Sequence, residues 1–396
     1  MARRAYPITA FSLCCGLGQT TAEAVATLRA GHRGLREVPF EVPFETVTGT
    51  LPTEPPPLPE PLRGQDSRTA RLAALAFREI APAVEAARER WGADRLGLVL
   101  GTSTGGIDRT EAFHFDWYGA GAARPSTPPP GYDYHRQHCF HAFGDTLAAL
   151  SGIEGPRYVV STACSSSAKV FASAQRLLDL DLVDAVLVGG ADGLCHTTVR
   201  GFHSLGVMAR QPCRPFGAER PGMNVGEGAG LLLLERKGPP RAWLRGVGES
   251  SDAYHMSSPD PEGRGALRAM RQALDQAGVA PQDVGYVNAH GTGTRYNDAA
   301  EAKALQALFT DPVPVVSTKA YTGHTLGACG AIEAIFAIVA LEEGWIPQAV
   351  GSEPRDEDIE LLLPREVLER PLRYALSNAF AFGGSNCSVL FERAER

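Results

Sequence analysis

The 396-residue sequence predicts an α/β fold, and three observations carry that expectation. Short apolar runs rich in β-branched residues recur along the chain. Stretches with helical apolar spacing lie between them. The runs themselves are nearly continuous, as in sheets covered on both faces. Strands are expected over 96–102, 157–162, 184–190, 228–235, 284–290, 313–318, 373–379 and 386–392. Helices are expected over 68–89, 165–179, 264–277, 298–309 and 328–343. The alternation occupies both halves of the chain, with a seam at "ERKGPPRA" around Gly238 and Pro240, so the division expected is 1–240 and 241–396. No duplication of the two halves shows at the level of residue identity. Two proline-rich stretches, 51–64 and 123–132, read as surface loops or extended connectors.

Composition narrows the class of protein. Hydrophobic residues make up 44% and charged residues 21%, as in soluble globular proteins. The net charge of -7, with no basic run, argues against a nucleic-acid partner. The first residues lack the continuous apolar core of a signal peptide. The longest apolar stretch, Ala331 to Leu341, is interrupted by Glu333 and is too short to span a bilayer. A cytoplasmic protein with no membrane association is the expectation. Eight cysteines without a C-x-x-C pair read as reduced thiols, not a disulfide framework.

One of those cysteines stands apart. In "VVSTACSSSAKVFASA" an apolar β-branched run ends at Cys164, and the serines behind it open a helix. A thiol at a helix N-terminus receives the positive end of the dipole, which favours the thiolate. Free N–H groups of the first turn can also serve an oxyanion. From this segment alone a buried core cysteine is an equal reading. Two further turns tip the balance. "VNAHGTGT" sets His290 directly after a strand, and "STKAYTGHTLGACGAIEA" sets His324 five residues after Lys319 in a similar turn. A fourth strand-end turn, "NAFAFGGSN", supplies Phe382 beside paired glycines. Strand-end loops of this kind converge on one site in α/β folds.

Two rival chemistries have sequence support. "GTSTG" fits the nucleophile-elbow pattern G-x-S-x-G, with Ser103 as nucleophile and Asp192 and His290 following in the required order, although "GGID" is a poor helix start. "HRQHCFH", 135–141, packs three histidines and a cysteine, but it lacks a second ligand pair and reads better as a surface or interface cluster than as a metal site.

The four turns, in order and spacing, resemble the signature segments of β-ketoacyl-acyl-carrier-protein synthases, the elongating condensing enzymes of the thiolase superfamily. The similarity runs from "ITAFSLCCGLGQTTAEAVATLRAG" through "GTSTGGI" and "PFGAERPGMNVGEGAG" to the C-terminal strand. It implies a thiolase-like five-layered α-β-α-β-α fold with two similar halves, assembled as a homodimer or as a heterodimer with a chain-length-factor subunit. It implies an acyl carrier protein as partner, with no cofactor beyond the phosphopantetheine arm that carries the substrate, and no metal. By the same resemblance Cys164 takes the acyl chain, His290 and His324 serve malonyl decarboxylation, and Lys319 and Glu301 form a charged pair that organises the site. The N–H groups of Cys164 and Phe382 make the oxyanion hole, Phe382 gates the cysteine, and Thr292 and Thr294 bond the pantetheine. Arg68 and Arg71 match carrier-docking positions, with a plain solvated helix face as the alternative. Ala381 stands where many members have glycine, and Met223 and Asn224 stand where Phe-Val is commoner. These departures resemble the enzymes of specialised pathways such as aryl polyene pigments. A non-catalytic chain-length-factor-like role would require loss of the nucleophile, whereas Cys164, His290 and His324 are all present.

Overall fold

The computed structural model describes residues 4–119, 127 and 131–395, so most of the proline-rich 123–132 stretch lies outside the described residues. The chain opens with β1 (Tyr6–Cys15), α1 (Thr21–Arg29), the short hairpin strands β2 (Arg36–Glu37) and β3 (Val47–Thr48), and the long helix α2 (Arg68–Trp91). There follow β4 (Leu96–Gly101), α3 (Ile107–Gly119), α4 (Phe140–Ser151), β5 (Arg157–Val160), α5 (Ser166–Asp179), β6 (Ala185–Asp192), α6 (His196–Ser204) and β7 (Gly228–Glu235). The second half runs β8 (Ala242–Ser251), α7 (Arg264–Ala277), β9 (Val284–Asn288), α8 (Arg295–Leu308), β10 (Val315–Val316) and the single turn α9 (Lys319–Thr322). It closes with α10 (Cys329–Glu343), β11 (Trp345–Ile346), β12 (Leu368–Glu369), β13 (Tyr374–Ala381) and β14 (Ser385–Arg393).

The duplication that residue identity hides is plain in the topology. The first half orders its strands β1-β7-β6-β4-β5, and the second orders them β8-β14-β13-β9-β10. Directions repeat as well. The first three strands of each set run antiparallel to their neighbours, and the last three run parallel. The two sets are stitched where Tyr6, Pro7 and Ile8 of β1 pair with Leu244, Trp243 and Ala242 of β8. Helices α5 and α10 lie between the sets, each touching strands of both, while α2 with α4 and α7 with α8 cover the outer faces. Five layers result. Helix α10 is buried on every side from Cys329 to Leu341, the condition of a helix sandwiched between sheets. Glu333 is the one charged residue in that stretch.

The sequence reading missed β1, β8 and the helices α1, α3, α4 and α6. Strand β1 carries Pro7, Thr9 and Ser12, and β8 carries Arg245 and Glu249, so neither presents a continuous apolar run. Both lie at the junction of the two strand sets, where their polar residues reach the flanks: Thr9 donates to Glu235, and Arg245 pairs with Glu392. No helix among the described residues is long and apolar enough to cross a membrane.

Candidate active site

Between β5 and α5 the chain turns through Ala163, whose φ of 51° is left-handed and strained for a residue with a Cβ. The serines that follow hold this turn. Ser166 Oγ accepts the Thr162 N–H at 2.9 Å and donates to the Ala163 carbonyl at 2.6 Å, and Ser165 Oγ donates to the Thr162 carbonyl at 2.9 Å. They are turn-forming residues, not nucleophiles. The strain aims the Cys164 sulfur at His324 Nε2, 3.0 Å away.

The N–H groups of Phe382 and of Cys164 itself face the sulfur and favour its charged form, as does the Lys319 ammonium. Burial outweighs all three and pushes the Cys164 thiol up to about 11. The expected pull toward the thiolate is thus outweighed by burial. In the free protein the sulfur carries its proton, and His324 is the group in contact to receive it. The sign is testable. Alkylation of Cys164 by iodoacetamide is expected to keep rising from pH 7 to 10, because the thiolate fraction grows throughout that range. A plateau reached by pH 8 would show a preformed thiolate.

The histidines come from two turns of the second half, one after β9 and one after α9. At the end of β9, the N–H groups of His290 and Gly291 donate to the two oxygens of Glu301 at 2.8 and 2.7 Å, fixing the turn. His324 is held through its backbone: its N–H donates to the Asn224 carbonyl at 2.7 Å, and its carbonyl accepts from Gly226 at 2.8 Å. The imidazoles meet edge to face, centroids 5.3 Å apart at 85°. Burial first and the Lys319 charge second hold both well below the ordinary histidine range, and His324 adds to the effect on His290. Both rings are therefore neutral at pH 7. Neither Nδ1 has a hydrogen-bond partner.

Lys319 does not pair with Glu301, which corrects the expected charged couple. Its ammonium, fully buried, donates to Glu333 Oε1 at 2.5 Å. Burial, the largest effect, would lower the lysine, but Glu333 with Cys329 and Glu301 together offset it and leave the lysine raised. Glu301 serves the His290 turn, and burial lifts its carboxyl to about 7. The sequence carried one sign of Glu333, a lone acid inside the apolar helix stretch. A ring nitrogen of His290, the Cys329 sulfur and a Glu333 oxygen lie within 4.8 Å of one another, the one such metal-ligand grouping among the described residues. The Lys319 ammonium already supplies the cation that Glu333 faces. Cys329 also donates to the Cys164 carbonyl at 3.2 Å, bracing the nucleophile turn from α10.

A cavity of about 200 Å³ ends on Cys164, His290 and His324. Thr292 and Thr294 line it, their hydroxyls 2.8 Å apart, and Phe382 stands at its side, 37% exposed and 6.1 Å from the Phe202 ring. Behind Phe382 the backbone turns through Gly383 and Gly384 with φ of 80° and 72°, so the conformational freedom of this loop resides there. Ala381 has φ −105°, which any residue adopts, and its methyl costs the loop nothing. Met223 lines the same cavity. Asn224 ties three segments together: its Oδ1 accepts from the Cys213 N–H at 2.7 Å, its Nδ2 donates to the Ala209 carbonyl at 3.3 Å, and its own carbonyl holds His324.

Two expected sites dissolve, and the residues of a third are engaged within the chain. Ser103 donates its hydroxyl to Asp192 at 3.1 Å and accepts the Gly327 N–H at 3.3 Å. It does not line the cavity. Asp192, fully buried, also accepts from Thr102 and Thr104, so it anchors the "GTSTG" loop and no imidazole serves the serine. Ser103→Ala is accordingly expected to retain Cys164 acylation within about tenfold, measured by intact mass, with a stability loss of about 1 kcal/mol from the hydrogen bonds removed. In the 135–141 cluster, His138 Nδ1 meets the Thr110 hydroxyl and Cys139 donates to the His135 carbonyl at 3.0 Å, so its groups do not converge. Arg68, finally, is occupied by the buried carboxylate of Glu227 and by Glu54, and Arg71 by Asp66 and Glu54. A buried carboxylate demands such a partner. Both guanidiniums are engaged within the chain, Arg68 by a buried carboxylate and Arg71 by partly exposed acids.

Fold and site together define a condensing acyltransferase built around a thiol. Residues 7–239 match the description "Beta-ketoacyl synthase, N-terminal domain", and residues 241–353 match "Beta-ketoacyl synthase, C-terminal domain". The chain belongs to the β-ketoacyl synthase family. It is 34% identical to 3-oxoacyl-[acyl-carrier-protein] synthase 2 of Staphylococcus aureus (strain COL) over 323 residues, covering 76% of each chain. It is 33% identical to nodulation protein E of Rhizobium sp. (strain N33) over 404 residues, 98% of each. Among solved structures it resembles the ketosynthase ApeO, solved in complex with its chain length factor ApeC, from Xenorhabdus doucetiae, with TM-score 0.91, 36% identity, and 99% and 98% coverage.

Proposed function

We propose that this β-ketoacyl synthase carries its growing chain on Cys164 and extends it with malonyl units delivered on an acyl carrier protein. The observation that bears most weight is the 3.0 Å contact between the Cys164 sulfur and His324 Nε2 at the closed end of the cavity. The thiol proton passes to His324, and the sulfur attacks the acyl thioester carbonyl. The Cys164 and Phe382 N–H groups hold the resulting oxyanion. The carrier thiol then leaves with the proton, so this half-reaction is proton-neutral. In the second half, His290 donates a hydrogen bond to the malonyl thioester carbonyl, and so does His324 once its ring proton has moved from Nδ1 to Nε2. The bond to the carboxylate breaks, carbon dioxide departs, and its electron pair becomes the carbanion. The carbanion attacks the acyl-Cys164 carbonyl, the sulfur leaves, and one proton is taken up. Neutral imidazoles suit this role, since each can donate without competing for the carboxylate as a cation. Thr292 and Thr294 line the approach where the pantetheine amides would lie.

The two halves, 1–240 and 241–396, divide the work: the first carries the nucleophile and the second both histidines. We place the protein in the cytoplasm, with no cofactor beyond the carrier's arm. The outer edge of β5, exposed at Arg157 and Tyr158, ends the strand order without a neighbour. It is the face we assign to a second ketosynthase-like subunit, either another copy or a chain-length factor, as in the ApeO complex.

Incubation with acyl- and malonyl-loaded carrier protein is expected to yield a carrier mass increased by one β-keto two-carbon extension. Absence of that product with every acyl carrier tried would overturn the reading. His290→Ala and His324→Ala are each expected to cut decarboxylation by a factor on the order of 10²–10³, the scale for losing one such donor. Carbon dioxide release from malonyl-carrier is the measurement, and an unchanged rate in either variant removes that histidine from the mechanism.

A further inference from the structure

Residues 37–44 read Glu-Val-Pro-Phe twice in succession, a four-residue repeat that the chemistry above does not use. It forms the loop between the paired strands β2 and β3. Its residues alternate: Glu37, Glu41 and Glu45 are exposed, while Phe40, Val42 and Phe44 turn inward and are half-buried. A proline in each repeat removes an N–H and restricts the backbone, so the loop is stiff without a ladder of its own.

The inward rings land on α6. Phe40 packs on the His196 ring with centroids 4.1 Å apart, and Phe44 stacks on His203 at 3.5 Å with planes 3° apart. His196 and His203 are seven residues apart, two helical turns or about 10 Å, so the two repeats grip both ends of the helix. The far leg of the loop is tied down by Thr46, whose hydroxyl donates to the Ala209 carbonyl at 2.7 Å. Beneath it Phe40, Val42 and Phe44 pack on a small buried apolar cluster that includes Val199 and Met223, and Phe202 packs on the same cluster. Met223 and Phe202 are cavity wall on their other side, and Phe202 faces the Phe382 gate.

We propose that the Glu-Val-Pro-Phe repeat is a specificity-determining brace. Phe40 and Phe44 hold α6 inward, and so set how far Phe202 and Met223 intrude on the acyl group delivered to Cys164. The residues of the brace touch no substrate and are positioning residues. With both stacks in place the wall is close and favours slim, linear acyl groups. When a stack is lost, α6 relaxes outward and bulkier acyl groups fit. This inference rests on acylation of Cys164 as proposed above, and names what selects the acyl group there.

The test is a competition. Equal amounts of a linear acyl-carrier thioester and a branched or aryl one are offered together, and the two acyl-Cys164 masses are read from one sample. Their ratio does not change with the fraction of protein folded, so a merely structural role leaves it alone. Phe44→Ala is expected to raise the bulky-to-linear ratio on the order of tenfold relative to the unmodified protein, the scale of one or two methylenes in a pocket. Phe44→Tyr, which keeps the ring, should leave it unchanged. Should Phe44→Ala not fold, Phe44→Leu keeps apolar volume while losing the stack and gives the same reading. A ratio within twofold of the unmodified protein in a folded Phe44→Ala or Phe44→Leu overturns the brace. Failure of the unmodified protein to acylate Cys164 from any donor would instead overturn the functional reading.

Discussion

Cys164→Ala is expected to form no covalent acyl adduct and no condensation product, yet still to release carbon dioxide from malonyl-carrier. The two halves of the reaction share His324 but differ in their need for the sulfur. The adduct needs the sulfur, the one nucleophile placed at the end of the cavity between the Phe382 N–H and His324. Decarboxylation needs the neutral donors of His290 and His324; the Cys164 sulfur meets the His324 ring, but the backbone of each histidine is fixed without it. His290 is fixed by Glu301 through its backbone, and His324 by Asn224 and Gly226. The turn itself is tied by Ser165 and Ser166, so losing one buried sulfur leaves a small gap at a cost of about 1–2 kcal/mol. Intact mass after incubation with acyl-carrier, together with carbon dioxide release from malonyl-carrier, separates the two steps. Retained acylation would move the nucleophile elsewhere in the chain. Loss of decarboxylation in a folded variant would show that the sulfur positions the malonyl group.

Much of this site was legible in the sequence because its chemistry lies in turns. Cys164, His290 and His324 each follow an apolar strand and precede small or hydroxylated residues, and such turns have local signatures. What escaped was partner choice across distance. The acid beside Lys319 lies fourteen positions away on α10, and its meaning appears only once both faces of that helix are covered. Glu301 looked equally available, yet the backbone amides of His290 and Gly291 claim both of its oxygens. Arg68 shows the converse. Its helix start reads as exposed, whereas the carboxylate it satisfies, Glu227, is brought in from the end of the "GMNVGEGAG" segment 159 residues later. The fold class followed from buried strands, but the seam strands β1 and β8 did not, because strands at a junction need not be apolar throughout. Duplication survived in connection and direction after it had vanished from residue identity.

Lys319 and Glu333 should show the largest stability effect in the protein, and their two functions should come apart. Lys319→Met leaves Glu333 buried with no cation, and Glu333→Leu leaves the ammonium without its anion. Each is expected to cost about 3–5 kcal/mol, read from denaturant midpoints. The double variant, with neither charge, should be more stable than either single one, because the penalty belongs to the unpaired charge and not to the missing pair. Catalysis should not follow the same order. The Lys319 charge helps hold both histidines well below their ordinary range, so its removal lets their pKa values rise. In the double variant a larger share of both imidazoles is then protonated at any given acid pH, and the acid limb of the decarboxylation profile should move to higher pH. Recovered stability with a displaced acid limb would assign the pair two jobs: Glu333 makes the buried lysine tolerable, and the lysine keeps the histidines neutral. A double variant as unstable as the singles, or one whose acid limb stays in place, would show that the ammonium acts through packing alone.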